Sequence, residues 1–392
     1  MFAIPPHVSD TLKTLEIAGH SAHLVGGCVR DLLRGAEPHD YDIATSATPD
    51  AIAAIFPHTA PTGTRYGTVT VLTDGGGIEV TTFRVDGEYA FGSRRPENVA
   101  FASSIADDLS RRDFTVNAVA LNLRGEITDP FGGRADIEAR ILRAVGDPRA
   151  RFREDALRML RLLRFSATLG FDIEPNTRAA AVECASLCRT LSRERVRDEV
   201  LKILSSSAPA TIAECVGIGL LEPTVATVEL PRETLRRLTI LPPRLRIAAF
   251  AAICAQSNDE LSPSGLLREL RLPNSVIRES GRGAFAAIEG FEPTSFGVKS
   301  LCAVQGYGAA ECACAASDVL YETATLQLLR EAIASAEPYM IPMLAVTGDD
   351  LVVRGMVGVD IGKALRRLLY HVLRHPEDNT RETLLRLLGF VD

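Results

Sequence analysis

The sequence has 392 residues, of which 46% are hydrophobic and 24% charged, a balance typical of a globular protein with several domains. The apolar run Ile247–Ala255 is far shorter than the about 18 residues a membrane helix needs, and the first ten residues lack the features of a secretion signal. We therefore expect a cytoplasmic protein with no membrane partner. The formal net charge of −7 argues against a nucleic-acid partner if it is taken alone.

The charge is unevenly distributed, because residues 140–165 contain eight arginines and only three acidic residues. This local excess of positive charge suits a phosphate-rich partner. The eight cysteines include no CxxC pair, so we expect buried free thiols rather than metal ligands or disulfides. His371 and His375 lie four residues apart without the glutamate of a zinc-protease helix.

The first 140 residues or so predict a mixed α/β region with two clear helices, Ser9–Ala18 and Cys28–Arg34, and a helix start at Thr48-Pro49-Asp50. The predicted strands are Ala22–Val25, Tyr41–Ala44, Thr68–Leu72, Ile78–Arg84 and Ala118–Asn122. Asp74-Gly75-Gly76-Gly77 predicts a hairpin turn, and the polar segment Asp86–Val99 predicts a mobile loop.

After about Ile137 the strand patterns stop and helical periodicity dominates. The predicted helices are Glu154–Leu169, Arg193–Leu204, Arg232–Leu238, Arg244–Ala255, Leu326–Ala336 and Ile361–Leu373. The fold class predicted from this order is α+β, with a small head that contains a mixed sheet and a long all-helical remainder.

The segment from Leu24 to Asp31 predicts a strand, a tight Gly26-Gly27 turn and a helix, with Arg30 one turn into that helix. Such a turn lets the backbone approach a ligand closely, and a helix N-terminus favours an anion, so Arg30 could reach a triphosphate. The turn is weak evidence by itself, and it matches neither a Walker P-loop nor a dinucleotide-binding fingerprint.

Asp40 and Asp42 follow about a dozen residues later, on a predicted strand where alternate side chains share one side. Two carboxylates so placed repel each other unless a cation lies between them, and Mg²⁺ prefers such oxygen ligands. Glu79, on a later strand, is the candidate third carboxylate of a two-metal site, although an ordinary edge-strand acid explains it equally well.

Two further segments offer nucleotide contacts. Arg112, Asp113 and Asn117 combine a phosphate contact with partners for ribose hydroxyls. In the second segment, Asp155, Arg158, Arg161 and Arg164 recur every three residues, which would keep them within one broad helix face. Three arginines exceed what one acid can pair with, so a purely solvated face is the less favoured interpretation.

In this order and spacing, these four segments resemble the motifs of the class II tRNA nucleotidyltransferase and poly(A) polymerase family. The resemblance extends from about His23 to Pro175, continues more loosely through Arg193–Glu199, and has weaker echoes at Val346–Leu351 and Pro376–Asn379. It implies a polymerase-β-like nucleotidyltransferase head at residues 1–139. It also implies a helical neck at 140–205, a body at 206–285 and a tRNA-binding tail at 286–392.

The resemblance also implies roles for the matched residues. Asp40 and Asp42 would bind Mg²⁺, while Gly26, Gly27, Arg30 and Arg112 would contact the incoming nucleotide. Asp113, with Asn117 beside it, would favour ribose. Asp155 and Arg158 would act as a protein template for the base, and Arg161 and Arg164 would support that helix and the phosphates.

The template role agrees with hydrogen-bond chemistry, because a carboxylate only accepts and a guanidinium only donates. Adenine and cytosine each present an amino donor beside a ring-nitrogen acceptor, which Asp155 and Arg158 can match. Uracil and guanine present the reverse pattern and would be rejected. A single residue pair could therefore accept C and A and refuse U and G.

The implied activity is addition of C, C and A to the 3′ end of tRNA from CTP and ATP. The segment from Asp86 to Pro96 resembles the flexible loop of CCA-adding members, although Phe91-Gly92-Ser93 replaces the acid and glycine that many relatives carry there. No His-Asp phosphohydrolase domain is recognisable. The helical body would dock the acceptor arm and elbow of tRNA, and no protein partner is inferred.

Several alternatives stay open. A-only or poly(A) addition by the same family would use the same motifs. A non-catalytic RNA-binding module would be expected to lose a catalytic carboxylate, yet both Asp40 and Asp42 are present. A nucleotidyltransferase acting on a small molecule would not need so long a helical platform.

Overall fold

A computed structural model describes residues 2–63, 67–86, 99–102, 104–222, 224–225 and 229–390. The chain divides into two compact units. The first comprises Met1–Ser192 with Ile218–Leu220, and the second comprises Arg193–Gly217 with Leu221–Asp392. Each unit is taken by itself below.

The first unit is built on a mixed sheet of seven strands in the order β3-β4-β5-β2-β1-β8-β9. Its strands are β1 (Ala22–Val25), β2 (Asp42–Thr45), β3 (Thr59–Gly63), β4 (Thr68–Thr73), β5 (Gly76–Thr82), β8 (Ala120–Leu121) and β9 (Ile127–Thr128). Neighbouring strands are antiparallel except β2 and β5, which are parallel. A separate antiparallel ribbon pairs β6 (Arg84–Asp86) with β7 (Val99–Phe101).

Helices of the first unit surround this sheet and continue beyond it. They are α1 (Pro6–Ile17), α2 (Gly27–Leu33), α3 (Pro49–Ile55), α4 (Ile105–Ser110), α5 (Gly133–Ala139), α6 (Pro148–Glu154), α7 (Leu157–Leu169) and α8 (Pro175–Cys184). One core cluster contains Val25 and Ala44 of the central strands, together with Phe83, Leu109 and Val145. The cluster holds the C-terminal end of β1 and the chain after α4 in fixed positions, and both carry predicted site residues.

The second unit is helical throughout the part of it that the structure describes. Its helices are α9 (Arg193–Ser205), α10 (Ile212–Gly217), α11 (Arg232–Arg236), α12 (Pro243–Ser257), α13 (Pro263–Glu269), α14 (Asn274–Glu289), α15 (Ser295–Gln305), α16 (Tyr307–Tyr321), α17 (Thr325–Ala334), α18 (Gly348–Val353), α19 (Val359–Val372) and α20 (Arg381–Leu387). Leu351, Leu368 and Leu384, from its last three helices, meet in one apolar core. The predicted α+β class, with a mixed sheet first and helices after it, is confirmed.

Two details of the prediction were wrong. Strands do not stop at Ile137, because β10 (Ile141–Leu142) pairs in parallel with β11 (Asp172–Ile173). The predicted helix Glu154–Leu169 is broken, since α6 ends at Glu154, Asp155 adopts an extended backbone with φ −148°, and α7 begins at Leu157. The division into head, neck, body and tail is finer than the two units and stays a prediction.

The eight cysteines are free and buried, as the sequence predicts. Burial raises the pKa of the Cys28 thiol to about 11, so it is protonated at neutral pH. Among the described residues, no helix is long and apolar enough to cross a membrane. Most of the predicted mobile loop, from Gly87 to Asn98, lies outside the described residues.

Candidate active site

A cleft of about 410 Å³ in the first unit brings most of the predicted site residues together. It is lined by Gly26, Gly27, Arg30, Asp42, Arg111, Arg112, Asp113, Asn117, Asp155, Arg158, Arg161 and Phe165. Asp40, Glu79 and Arg164 are not among the lining residues. Two other concavities of this unit, of about 450 and 590 Å³, are larger but contain none of the predicted site residues, so chemistry rather than size identifies the site.

The turn between β1 and α2 forms one wall of the cleft. Gly26 has φ +74° and ψ −136°, a conformation that side-chain-bearing residues rarely adopt. A Cβ atom at Gly26 would lie 3.0 Å from Nη1 of Arg112 and 3.7 Å from Oδ2 of Asp42. The glycine therefore allows the backbone to lie directly against a guanidinium and a carboxylate.

The predicted carboxylates gather at the start of β2. Asp42 is the first residue of the strand, where it pairs with Val25 on one side and with Glu79 on the other, and Asp40 precedes the strand. Side chains of paired residues in neighbouring strands point to the same face of a sheet, so Asp42 and Glu79 are neighbours.

The electrostatics of Asp42 reflect this crowding. Burial among protein atoms and the nearby Glu79 carboxylate raise the pKa of Asp42 to about 6, and Asp40 adds to the effect while Arg112 opposes it. The residue still exposes area at the open side of the cleft. Repulsion between these carboxylates would be relieved by a bound cation. No group of three or more His, Cys, Asp or Glu side chains within the described ranges is arranged to hold a metal ion.

Two adjacent arginines at the cleft share one buried anchor. Asp108 is fully buried, and its Oδ1 accepts hydrogen bonds from Nε and Nη2 of Arg111 at 3.0 and 2.7 Å. Its Oδ2 accepts from Nη2 of Arg112 at 3.0 Å. Burial acts to raise the pKa of Asp108, but the two guanidinium groups outweigh it and lower the pKa. Asp108 thus stays ionised and fixes both arginines at the cleft.

A hydrogen-bonded chain crosses the floor of the cleft. Nη1 of Arg30 donates to Oδ1 of Asn117 at 2.8 Å, and Nδ2 of Asn117 donates to Oδ1 of Asp113 at 3.0 Å. Oδ2 of Asp113 accepts from Nε of Arg161 at 2.8 Å. Burial acts to raise the pKa of Asp113, but Arg161 and Asn117 hold it well below its usual range. Arg30 also pairs with Asp31 through Nε and Nη2, at 3.0 Å each.

An aromatic ring underlies this chain. The guanidinium carbons of Arg30, Arg161 and Arg164 lie 5.4, 5.2 and 3.7 Å from the ring centroid of Phe165. Phe165 also meets Phe114 edge to face, with centroids 5.9 Å apart. Cations over an aromatic face are attracted to its negative potential, so the ring helps to hold three positive charges close together.

The predicted base-reading pair lies at the break between α6 and α7. Asp155 accepts the backbone N–H of Leu157 at 3.0 Å, which caps the start of α7. Arg158 is 7% exposed, and its Nη1 donates to Oε2 of Glu154 at 2.6 Å and to the carbonyl oxygen of Arg151 at 3.1 Å. Nη2 of Arg158 donates to the carbonyl oxygen of Arg111 at 3.0 Å. The guanidinium is therefore fixed in orientation while it lines the cleft.

Comparisons with known proteins agree with this arrangement. Residues 22–143 match the poly A polymerase head domain, and residues 170–224 match the domain described as the probable RNA and SrmB-binding site of polymerase A. The CCA-adding enzyme of Limosilactobacillus fermentum is 36% identical over 394 aligned positions, which cover 96% of this chain and 95% of that protein. The chain belongs to the CCA-adding enzyme family. It is a nucleotidyltransferase.

Other members of the CCA-adding enzyme family are also similar. The enzyme of Geobacillus thermodenitrificans is 44% identical over 279 residues, or 69% of this chain and 67% of that protein. A crystal structure of the Bacillus stearothermophilus CCA-adding enzyme in complex with CTP matches with a TM-score of 0.82 and 32% identity over 98% of both chains. The resemblance stated from the sequence motifs is confirmed.

Sequence reasoning missed some residues of the site in this CCA-adding enzyme family member. Asp108 lies four residues before Arg112. In the sequence, a buried aspartate that anchors arginines cannot be distinguished from an exposed aspartate on a helix. Glu154 was treated as part of a helix rather than as the partner of Arg158. Asp108 and Glu154 pair with arginines three or four residues away, a spacing that could have pointed to them. Phe165 lines the cleft, and its contact with Phe114 follows only from the fold.

Proposed function

We propose that this chain adds C, C and A in turn to the 3′ end of tRNA, using CTP and ATP and releasing pyrophosphate. The observation that supports the proposal is the single cleft in which Asp42, Arg112, Asp155 and Arg158 converge. A carboxylate, a phosphate-binding guanidinium and a fixed donor–acceptor pair are the groups that nucleotidyl transfer with base selection needs.

Asp40 and Asp42 would hold a divalent metal ion, and we propose Mg²⁺. Burial, followed by the nearby Glu79 and Asp40 carboxylates, raises the pKa of Asp42 to about 6, and a bound cation would lower it again. Carboxylate oxygens suit Mg²⁺, which usually keeps further positions for phosphate and water. When bound, such ions lower the pKa of an attacking hydroxyl and offset charge on the leaving pyrophosphate. Glu79 stays a candidate third ligand.

The triphosphate would lie along the turn at Gly26 and Gly27. Helix α2 has only seven residues, so we assign the phosphate contacts to the turn backbone that lines the cleft and to Arg112 rather than to a helix dipole. Arg30 is 8% exposed and already bonded to Asp31 and Asn117, so it would act mainly by fixing this wall. Arg112 is anchored by Asp108 and can meet a phosphate without first losing conformational freedom.

The base would be read by Asp155 and Arg158. Three of the five N–H groups of Arg158 are bonded within the protein, so its plane is set before the nucleotide arrives. The carboxylate of Asp155 would accept the amino group of cytosine or adenine, and Arg158 would donate to the adjacent ring nitrogen. The extended backbone at Asp155 places its side chain before α7 rather than on the face of that helix.

The chain's own residues then orient the reaction. Asp155 and Arg158 would fix the base, Arg112 and the turn would fix the phosphates, and Asp42 lines the same cleft. In-line attack by the 3′-hydroxyl of the RNA would require no covalent intermediate with the protein. The tail, residues 286–392, would contact the elbow of tRNA. We place the protein in the cytoplasm, where its proposed tRNA substrate is made and used.

A gel assay of nucleotide addition tests the proposal. Transcripts of tRNA that end before CCA, after C or after CC would be incubated with Mg²⁺ and with CTP, ATP, UTP or GTP, singly and mixed. We expect the shortest transcript to gain CCA and stop, with UTP and GTP refused. A single A added only to the transcript ending in CC would indicate an A-adding enzyme, and a long A ladder would indicate poly(A) addition. No extension would contradict the proposal.

Asp42→Asn is the matched negative control for that assay. It retains the size of the side chain and removes the charge on which metal binding depends. We expect loss of addition by at least about a hundredfold, as for other groups that stabilise transition-state charge. Full activity of this variant would contradict the assignment of Asp42.

A further inference from the structure

Four donors surround the carboxylate of Asp113 in the cleft. Its Oδ1 accepts from the backbone N–H of Phe114 at 2.9 Å and from Nδ2 of Asn117 at 3.0 Å. Its Oδ2 accepts from Nε and Nη2 of Arg161 at 2.8 and 2.6 Å. An ionised carboxylate has about four acceptor sites, so the acceptor capacity of Asp113 is filled by the protein itself.

Asp113 lies between the two ends of the cleft. On one side it is linked through Asn117 to Arg30, which belongs to the helix that follows the Gly26 turn. On the other side it is bonded to Arg161, one helical turn after Arg158. A nucleotide with its base at Arg158 and its phosphates near the turn would have its sugar beside Asp113. This step rests on the proposed function.

The four N–H donors come from three residues, and one of these residues can be exchanged for a substrate group more easily than the other two. The N–H of Phe114 belongs to the backbone, and Asn117 is 6% exposed and held by Arg30 at 2.8 Å. The side chain of Arg161 is 33% exposed and lines the cleft. Moving it needs a rotation of one partly solvated side chain, whereas moving either of the others would disturb the fold.

We propose that Arg161 is a specificity-determining residue that competes with the ribose 2′-hydroxyl for Asp113. When a ribonucleotide binds, its 2′-hydroxyl donates to Oδ2 of Asp113 in place of one N–H of Arg161. The released N–H turns towards solvent, and the ring of Phe165 retains the guanidinium nearby. A 2′-deoxynucleotide has no such donor, so Arg161 stays on Asp113 and partly compensates for the missing hydroxyl.

The test is the ratio of kcat/KM for CTP to that for 2′-deoxy-CTP in single-nucleotide addition. In Arg161→Gln we expect this ratio to rise about tenfold, because a deoxynucleotide leaves the buried Asp113 charge without its partner while a ribonucleotide restores one bond. In Asp113→Asn we expect the ratio to fall about tenfold, because the neutral amide holds the hydroxyl less strongly. Arg161→Lys should lie between wild type and Arg161→Gln.

Arg149→Gln is the matched control. Arg149 also makes a two-bond pair with a carboxylate, at 2.7 and 2.8 Å to Glu183, but this pair is exposed and does not line the cleft. The Arg149→Gln substitution should leave the ratio of kcat/KM for CTP to that for 2′-deoxy-CTP unchanged. The ratio of the dissociation constant for 2′-deoxy-CTP to that for CTP, measured without RNA, should follow the same pattern in each variant.

The outcomes separate the proposals. If kcat/KM falls equally for both nucleotides in Arg161→Gln, Arg161 only supports the structure. If the ratio falls in both Arg161→Gln and Asp113→Asn, Arg161 contacts the sugar directly. Either result would overturn the inference. Sensitivity to 3′-deoxy-CTP instead of 2′-deoxy-CTP would also overturn it. If tRNA is not extended but the binding ratios shift as expected, the proposed function fails while the competition at Asp113 stands.

Discussion

At the residue scale, the proposed base-reading role of Asp155 leads to a prediction about which nucleotides the enzyme accepts. Asp155→Ala removes the carboxylate that would accept the amino group of cytosine or adenine. The same change removes the carboxylate that would repel the carbonyl oxygen of uracil or guanine. We expect kcat/KM for CTP and ATP to fall by a factor that corresponds to about 1–3 kcal/mol of lost transition-state stabilisation. Discrimination against UTP and GTP should weaken at the same time. Single-nucleotide addition with each triphosphate measures both effects.

Asp172→Ala is the control for that substitution, since Asp172 is an exposed residue of β11 and does not line the cleft. It should change neither the rate nor the selectivity. If Asp155→Ala still refuses UTP and GTP as strongly as wild type does, the base is selected by other groups.

Asp108 gives a second prediction at this scale, concerning stability and pH. Asp108→Asn leaves Arg111 and Arg112 without their buried counter-charge, so we expect the free energy of unfolding to fall by about 3 kcal/mol at neutral pH. The folded-state pKa of Asp108 is below its unfolded value, so its contribution is present above the ordinary carboxyl pKa of about 3.9 and is lost as pH falls through the folded value.

Urea unfolding of both proteins across a pH series checks this. The difference between them should be constant from neutral pH down to mildly acidic conditions and should shrink only below the ordinary carboxyl pKa. A difference that is already small at neutral pH would mean that solvent, rather than Asp108, satisfies the two arginines.

At the scale of elements, the turn between β1 and α2 is where we propose that the triphosphate binds. Gly26→Ala places a Cβ atom 3.0 Å from Nη1 of Arg112 and forces a side-chain-bearing residue into φ +74°. We expect a loss of about 1–3 kcal/mol in stability and a raised KM for CTP, because Arg112 must move. Unfolding and steady-state addition measure the two effects.

Gly27→Ala provides the comparison within the same turn. Its Cβ atom would lie 3.5 Å from Nη2 of Arg30, which is ordinary contact, and Gly27 is not among the glycines with positive φ. The change should be mild in both measurements. Equal effects of the two substitutions would show that the conformation of Gly26 is not what the site requires.

How far the sequence predicts the elements depends on whether local signals decide them. Strand β1 and the start of α3 agree with prediction because alternation, a glycine turn and Thr48-Pro49 are local. The break at Asp155 was missed because the apolar periodicity continues across it, while the cap that causes it is a side-chain contact. Motif spacing predicted most of the residues that the structure brings together in the cleft, but the pairing of Asp113 with Arg161, 48 positions apart, follows only from the fold.

At the scale of the whole molecule, a net charge of −7 coexists with an arginine-rich cleft. Many of those arginines are fixed by carboxylates, as Arg30 is by Asp31 and Arg112 by Asp108. Acidic residues therefore fix the positions of the positive groups as well as lowering the overall charge. For this reason net charge is a poor guide to an RNA-binding function here, and the local distribution of charge is a better one.

The second unit offers an exposed surface suited to RNA, formed by Phe296, Tyr370 and Arg374. Tyr370 is 54% exposed and meets Phe296 edge to face with centroids 5.6 Å apart. The guanidinium of Arg374 lies 4.5 Å from the ring centroid of Phe296 and 5.0 Å from that of Tyr370. An exposed aromatic ring held by a cation is a stacking platform for a nucleobase, and the site falls in the proposed tRNA-binding tail.

Tyr370→Ala should therefore weaken binding of whole tRNA by about 1–3 kcal/mol, the usual value of one stacked base, and leave the KM for CTP unchanged. A minihelix that contains only the acceptor arm lacks the elbow, so its binding should not change. Tyr321→Ala is the control, because Tyr321 is 48% exposed but lies at the end of α16, outside the surface formed by Phe296, Tyr370 and Arg374. If wild type binds the minihelix as tightly as whole tRNA, or if Tyr370→Ala affects both equally, the tail does not reach the elbow through this surface.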